Sequence, residues 1–152
     1  MLGKFVIGAT SVVVLTFSTV AFAQQRQFGT ATEARMLLER AIRLVKADKA
    51  AAFAKFLSGA DGFKVRDLYV FCFNGADGNI NVGPPDVIGK DARNFVDKAG
   101  YDYGERMFNQ AREGTIIEAG YMFPRPGSDV LVPKVSFLTK VADQICGVGY
   151  YP

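Results

Sequence analysis

Residues 67–78, Asp-Leu-Tyr-Val-Phe-Cys-Phe-Asn-Gly-Ala-Asp-Gly, constrain this chain more than any other stretch. A run of apolar, aromatic and β-branched side chains is bounded by charge on one side and by Asn-Gly and Asp-Gly on the other, the pattern of a strand that opens into a tight turn. Neither face of the run is polar. Both faces must therefore be covered, which predicts a strand inside a sheet rather than at its rim.

The rest of the chain supplies the cover. With 152 residues, 49% of them hydrophobic, the chain has material for one core and hardly for two. Residues 1–23 stand apart from it. Lys4 gives a short positive start, residues 5–22 carry no charge, and Ala21-Phe22-Ala23 before Gln24 fits the small-x-small site of a secretory signal. Cleavage after Ala23 leaves a domain of residues 24–152, periplasmic or secreted. The apolar stretch is also just long enough to span a bilayer, so a retained anchor is the other reading. No second stretch of that length follows, so the cleaved product has no stable membrane span.

Losing Lys4, the only charged residue before Gln24, lowers the formal net charge from +3 to +2. There is no basic stripe, and nucleic acid is excluded as a partner. The two cysteines, Cys72 and Cys146, each lie in a strand-like run. After export they meet an oxidising compartment, which favours a disulfide. Two buried thiols acting as small hydrophobes are the alternative.

Thr30-Ala31-Thr32-Glu33 has the form of a capping box and predicts a helix start. Ala34, Leu37, Leu38, Ala41, Leu44 and Val45 then recur at helical spacing, with charged residues on the opposite face. Asp48 predicts the cap of a second helix over residues 49–57, ended by Gly59 and Gly62. After the central strand, residues 80–82 read as a short strand stopped by Gly83-Pro84-Pro85. Residues 86–95 read as a loop with room for a helical turn, and residues 103–112 as a helix. Strands over residues 115–123, 135–141 and 145–151 follow one another closely enough for an antiparallel meander. The class is α+β.

Chemistry is bounded mostly by absences. The chain contains no histidine, which removes Ser-His and Cys-His nucleophilic catalysis and any histidine-ligated metal site. Two cysteines are too few to hold a metal by themselves. There is no Gly-x-Ser-x-Gly, P-loop or dinucleotide-binding glycine pattern, and Gly147-Val148-Gly149 is too short to be one. No carboxylate pair stands out for acid/base work. The sequence thus names no catalytic residue, metal or cofactor.

Several pieces taken together carry a resemblance: the first helix, residues 67–73, Ile88-Gly89-Lys90-Asp91, Tyr121-Met122-Phe123-Pro124-Arg125-Pro126, Pro133-Lys134-Val135-Ser136-Phe137, and Cys146-Gly147-Val148-Gly149-Tyr150-Tyr151. In order and spacing the chain resembles the single Cache sensor domain, in particular its second type, over almost all of residues 24–152. The resemblance implies a PAS-like five-stranded antiparallel sheet, with the long N-terminal helix on one face and a ligand pocket on the other. It also implies an extracytoplasmic sensor of small ligands, often organic acids. A PAS-like strand order sets the first strand beside the last and so brings Cys72 opposite Cys146. With nothing after Pro152 to transmit a signal, output would come through a separate membrane receptor or kinase.

The same resemblance implies a binding constellation. Tyr121 and Phe123 share one face of a strand by alternation, and Lys134 enters the neighbouring strand of that hairpin, with Ser136 two residues on. Aromatic walls around one fixed cation suit a small organic anion such as a carboxylate. Where the family often has His-Pro and a tryptophan, this sequence has Gly83-Pro84 and Phe123. Those differences favour an alternative, a structural or protein-interaction domain with a closed pocket. In that reading Tyr121 and Phe123 are core aromatics and Lys134 is an edge-strand lysine that discourages aggregation.

Overall fold

The first helix begins where its cap predicts. A computed structural model describes residues 27–152; the expected signal segment, residues 1–23, and the cleavage expected after Ala23 lie outside the described residues. Helix α1 (Ala31–Ala47) starts at Thr30, whose hydroxyl oxygen accepts from Glu33 N while the Glu33 carboxylate accepts from Thr30 N at 2.8 Å. Arg66 closes on the same carboxylate at 2.6 Å, and these bonds hold the Glu33 carboxyl down at about 2. Asp48 ends α1 and caps α2 (Lys49–Ser58) by accepting from Ala51 N; α2 stops at Gly59, whose φ of 77° lies in the left-handed region that glycine enters without strain.

Six strands make one antiparallel sheet: β1 (Lys64–Val65), β2 (Leu68–Asn74), β3 (Ile80–Val82), β4 (Ile117–Pro124), β5 (Leu131–Val141) and β6 (Gln144–Tyr150). Their order is β1-β2-β6-β5-β4, with β3 pairing the far end of β2. The expected five strands become six because the chain turns back at Arg66, where φ is 57°, and Lys64 and Val65 pair with the start of β2. Both residues of β1 are exposed, so no alternation marks so short a strand. β2 is an inner strand as expected. The middle of the sheet, however, is β6, in which every residue from Gln144 to Gly149 is buried.

The strand β5 begins four residues earlier than its proline suggests. Pro133 pairs with Met122 of β4, but the β5–β6 ladder ends at Val135 and Tyr150. Pro133 therefore lies beyond the last β6 partner, where a missing N–H leaves no ladder bond unmade.

Each face of the sheet has its own buried cluster. α1 and α2 cover one face with Leu37, Leu38, Val45 and Phe56, which meet Val70, Cys72, Cys146 and Val148 from the strands. On the other face Phe73, Leu138 and Ile145 meet Tyr103 and Met107 of α3 (Tyr103–Gln110) and Val87 from the segment after β3. Cys72 and Cys146 are direct partners across β2 and β6, with Cα atoms 4.1 Å apart and their sulfurs joined in a disulfide.

Candidate functional site

The face under α3 is where aromatic side chains converge. Alternation along β2 puts Tyr69, Phe71 and Phe73 on it, and Tyr121 and Phe123 reach it from β4. Tyr103 from the first turn of α3 stacks on Tyr121, ring centres 4.4 Å apart, and Phe123 meets Tyr121 edge-on at 6.0 Å. They line an almost wholly apolar pocket of about 70 Å³. Beside it, between the start of β2 and the β4–β5 turn, runs a larger groove of about 520 Å³. Tyr69, Pro84 and Phe123 border both spaces and form the partition between them.

Lys134 stands at that partition. Its register partner on β4 is Tyr121, and its side chain is buried, with only 2% of the residue exposed. The ammonium donates to Tyr69 Oη at 2.9 Å and lies 4.6, 4.7 and 5.1 Å from the ring centres of Tyr69, Phe123 and Tyr151. Among the described residues no carboxylate forms an ion pair with it. Burial pulls its pKa down to about 7, against the pull of the Asp67 carboxylate in the other direction. Rings and a single hydroxyl compensate a buried charge only in part, because an ammonium has three protons to place.

The four residues singled out from the sequence fall into one neighbourhood with different contacts. Tyr121 and Phe123 line the inner cavity. Lys134 touches its wall through Tyr69 and Phe123. Ser136, fully buried, stands behind Tyr121 with Oγ 2.8 Å from the phenol oxygen. Burial raises the Tyr121 pKa well above its ordinary value, so this phenol stays protonated and uncharged.

Sequence reasoning missed four contributors. Tyr69 carries the hydroxyl that meets Lys134, yet in a run apolar on both faces it was one aromatic among several. Tyr103 was visible only as a helix residue. Tyr151 donates to Pro124 O at 2.6 Å and presents its ring to Lys134. Arg125, read as part of a turn, lays its guanidinium over Phe28 and Tyr151 at 4.2 and 4.9 Å.

Similar solved structures come from bacterial sensing. A methyl-accepting chemotaxis protein from Vibrio parahaemolyticus RIMD 2210633 superposes with a TM-score of 0.63 at 16% identity, over 79% of this chain and 86% of that one. A Cache chemosensory domain, described by its structural basis for carboxylic acid recognition, gives 0.59 at 21% identity over 79% and 86%. This chain has the Cache sensor-domain fold. A periplasmic sensor domain of a chemotaxis protein agrees, with a TM-score of 0.58 at 23% identity over 77% and 86%. No protein-family model and no curated protein matches the sequence.

In this Cache fold the helix-covered face is the one closed by α1 and α2, and the aromatic face holds the cavity. Pro84, from the Gly83-Pro84 pair, borders both spaces. Among the described residues no helix is long and apolar enough to cross a membrane, and no group of three or more His, Cys, Asp or Glu side chains is placed to hold a metal ion.

Proposed function

We propose that this is an extracytoplasmic sensor domain that binds a small organic carboxylate on its aromatic face. The observation that carries the reading is Lys134, a buried ammonium in no ion pair among the described residues, held by rings of which Tyr69 and Phe123 wall a cavity. A carboxylate arriving there supplies a directly bonded counter-charge in a setting that excludes water, where a charge-assisted bond is strong. Phe123 and Tyr121 give the hydrocarbon part of the ligand an apolar surface, and Ser136 sets the Tyr121 phenol in place. The domain is periplasmic or secreted, with residues 1–23 as its export signal, and passes its state to a membrane receptor or kinase. The Cache chemosensory neighbour described for carboxylic acid recognition supports the ligand class.

A domain with a closed, non-binding pocket is the competing reading, and the small inner cavity is the observation in its favour. A thermal-shift screen against short mono- and dicarboxylic acids separates the two, since a ligand that binds the fold raises its melting temperature. Lys134→Met keeps the apolar stem and removes the charge. Its expected cost to the complex is about 1.5–3 kcal/mol, or one to two decades in affinity, while the unliganded protein stays folded. If no carboxylate shifts the wild type, or if Lys134→Met responds as the wild type does, the carboxylate reading fails.

A further inference from the structure

The layer formed by α1, α2 and β1 is more basic than the rest of the molecule. Residues 31–66 carry eight cationic and four acidic side chains, whereas residues 67–152 carry eight cationic and eleven acidic ones. No single element holds enough of this charge to show as a stripe. The fold gathers it, because α1 packs against α2 over one face of the sheet and β1 follows them at one end of the strand order.

A cleft of about 250 Å³ opens in this layer, with Leu44 and Phe63 as its apolar lining and Arg40, Arg43, Lys55 and Asp61 as its charged lining. Arg40 is held in place there: its guanidinium carbon lies 4.7 Å from the centre of the Phe63 ring, and the group donates to Asp61 O. The Asp61 carboxylate pairs with Lys55 at 2.6 Å. One carboxylate cannot neutralise three cations, and Arg43 forms no ion pair among the described residues. Lys46, one helical turn further on and also exposed, forms none either. Apolar side chains stand exposed beside these charges. Met36, one turn before Arg40, is 58% exposed, and Val65 on β1 is 40% exposed. Both line a second groove that Arg40 also borders, so the cations and the aliphatic side chains form one continuous patch.

We propose that this face docks on an anionic phospholipid surface, with a lipid phosphate in the cleft of Arg40, Arg43 and Lys55 and with Met36 and Val65 in the headgroup layer. The patch has the two parts that such a surface rewards: cations for the phosphates and aliphatic side chains for the boundary with the hydrocarbon. Arginine suits the cleft, because its planar fork takes a phosphate through two parallel bonds. Docked in this way, the domain turns its aromatic face away from the bilayer, since the two faces lie on opposite sides of the sheet. The inference concerns the face opposite the carboxylate site and does not depend on it.

The test is co-sedimentation of the exported protein, as recovered from the extracytoplasmic fraction, with vesicles of phosphatidylcholine alone and of phosphatidylcholine with about 30% phosphatidylglycerol. The expected result is binding at least ten-fold tighter to the anionic vesicles, released by about 0.5 M NaCl. Arg43→Gln/Lys46→Gln should weaken that binding at least ten-fold and keep the fold, because both side chains are exposed and unpaired among the described residues. Lys90→Gln/Lys98→Gln removes the same charge from exposed positions outside this layer and should bind as the wild type does. Equal binding to the two kinds of vesicle, or equal responses of the two double variants, overturns the proposal. So does absence of binding to the anionic vesicles, which is the result expected if this face meets an acidic protein instead. If Arg43→Gln/Lys46→Gln does not fold, the wild type on the two kinds of vesicle and Lys90→Gln/Lys98→Gln still decide, since a ten-fold loss in the latter would show that net charge rather than this face is what the vesicles bind.

Discussion

Lys134 occupies the space that Gly149 leaves on β6. A Cβ at position 149 would lie 2.3 Å from Lys134 Cε and 2.7 Å from Ser136 Oγ, closer than real contacts allow. The lysine stem thus crosses the middle strand of the sheet over a residue with no side chain, and this lets a β5 lysine reach a β2 tyrosine. Gly147 does the same for Phe71, whose Cζ would be 2.4 Å from an added Cβ. The two glycines of β6 shape the aromatic face from below.

Gly149→Ala is therefore expected to act on the ligand through Lys134. Neither glycine requires a left-handed backbone, so the substitution changes contacts rather than conformation. The methyl group displaces the lysine stem, and carboxylate affinity falls at least ten-fold, towards that of Lys134→Met. The double variant should lose little more than either single one, because both remove the same contact. Calorimetric titration of the four proteins checks this. Additive losses would mean that Gly149 acts by some other route.

What could be read in the sequence was what local chemistry decides. Thr30 with Glu33 and Asp48 with Ala51 place their caps through bonds spanning three residues, and the strands show as runs of β-branched and aromatic side chains. The Cys72–Cys146 pairing followed once two strands were set side by side. What depends on the curl and order of the sheet was hidden. Gly147 and Gly149 weaken the strand pattern of the very strand that lies in the middle, since their function is to be absent beneath Phe71 and Lys134. Lys134 beside Pro133 looks like an edge lysine until the register puts it opposite Tyr121. Arg125 carries no signal of its own in a turn of prolines and glycine, because its partners are rings from residues 28 and 151.

The disulfide ties two neighbouring inner strands, β2 and β6, and its removal should destabilise the whole domain rather than one loop. The cysteines are 74 residues apart and fully buried. Opening a loop of that length frees the unfolded chain by about 4 kcal/mol in the chain-entropy model, and a Cys72→Ala/Cys146→Ala variant also loses buried sulfur contacts. Urea unfolding should show a loss of about 3–5 kcal/mol, with Cys72→Ala alone close to the double variant. A loss below about 1 kcal/mol would show that the bridge does not constrain the unfolded chain.

The buried ammonium of Lys134 should leave its mark on stability as pH changes. In the fold it titrates at about 7, and in the unfolded chain near the ordinary 10.5. Between these values the unfolded state holds a proton that the folded state has given up, so raising the pH favours the fold, by at most about 1.4 kcal/mol per unit. Below about pH 7 both states are protonated and the penalty of the buried charge is whole. Tyr103 and Tyr151 work in the opposite sense higher up: burial raises both to about 12, so as pH passes their ordinary 10.0 they lower stability. Subtracting the profile of Lys134→Met from that of the wild type removes the tyrosine contribution. The variant should be the more stable protein at about pH 6, and its advantage should shrink as pH climbs towards about 10. Asp67→Asn offers a second reading of the same group. The Asp67 carboxylate raises the Lys134 pKa, so its removal should start the rise in stability at a lower pH. A wild-type minus Lys134→Met difference that stays flat between about pH 6 and 9 would mean that Lys134 keeps an ordinary pKa, and that its charge is not held away from water.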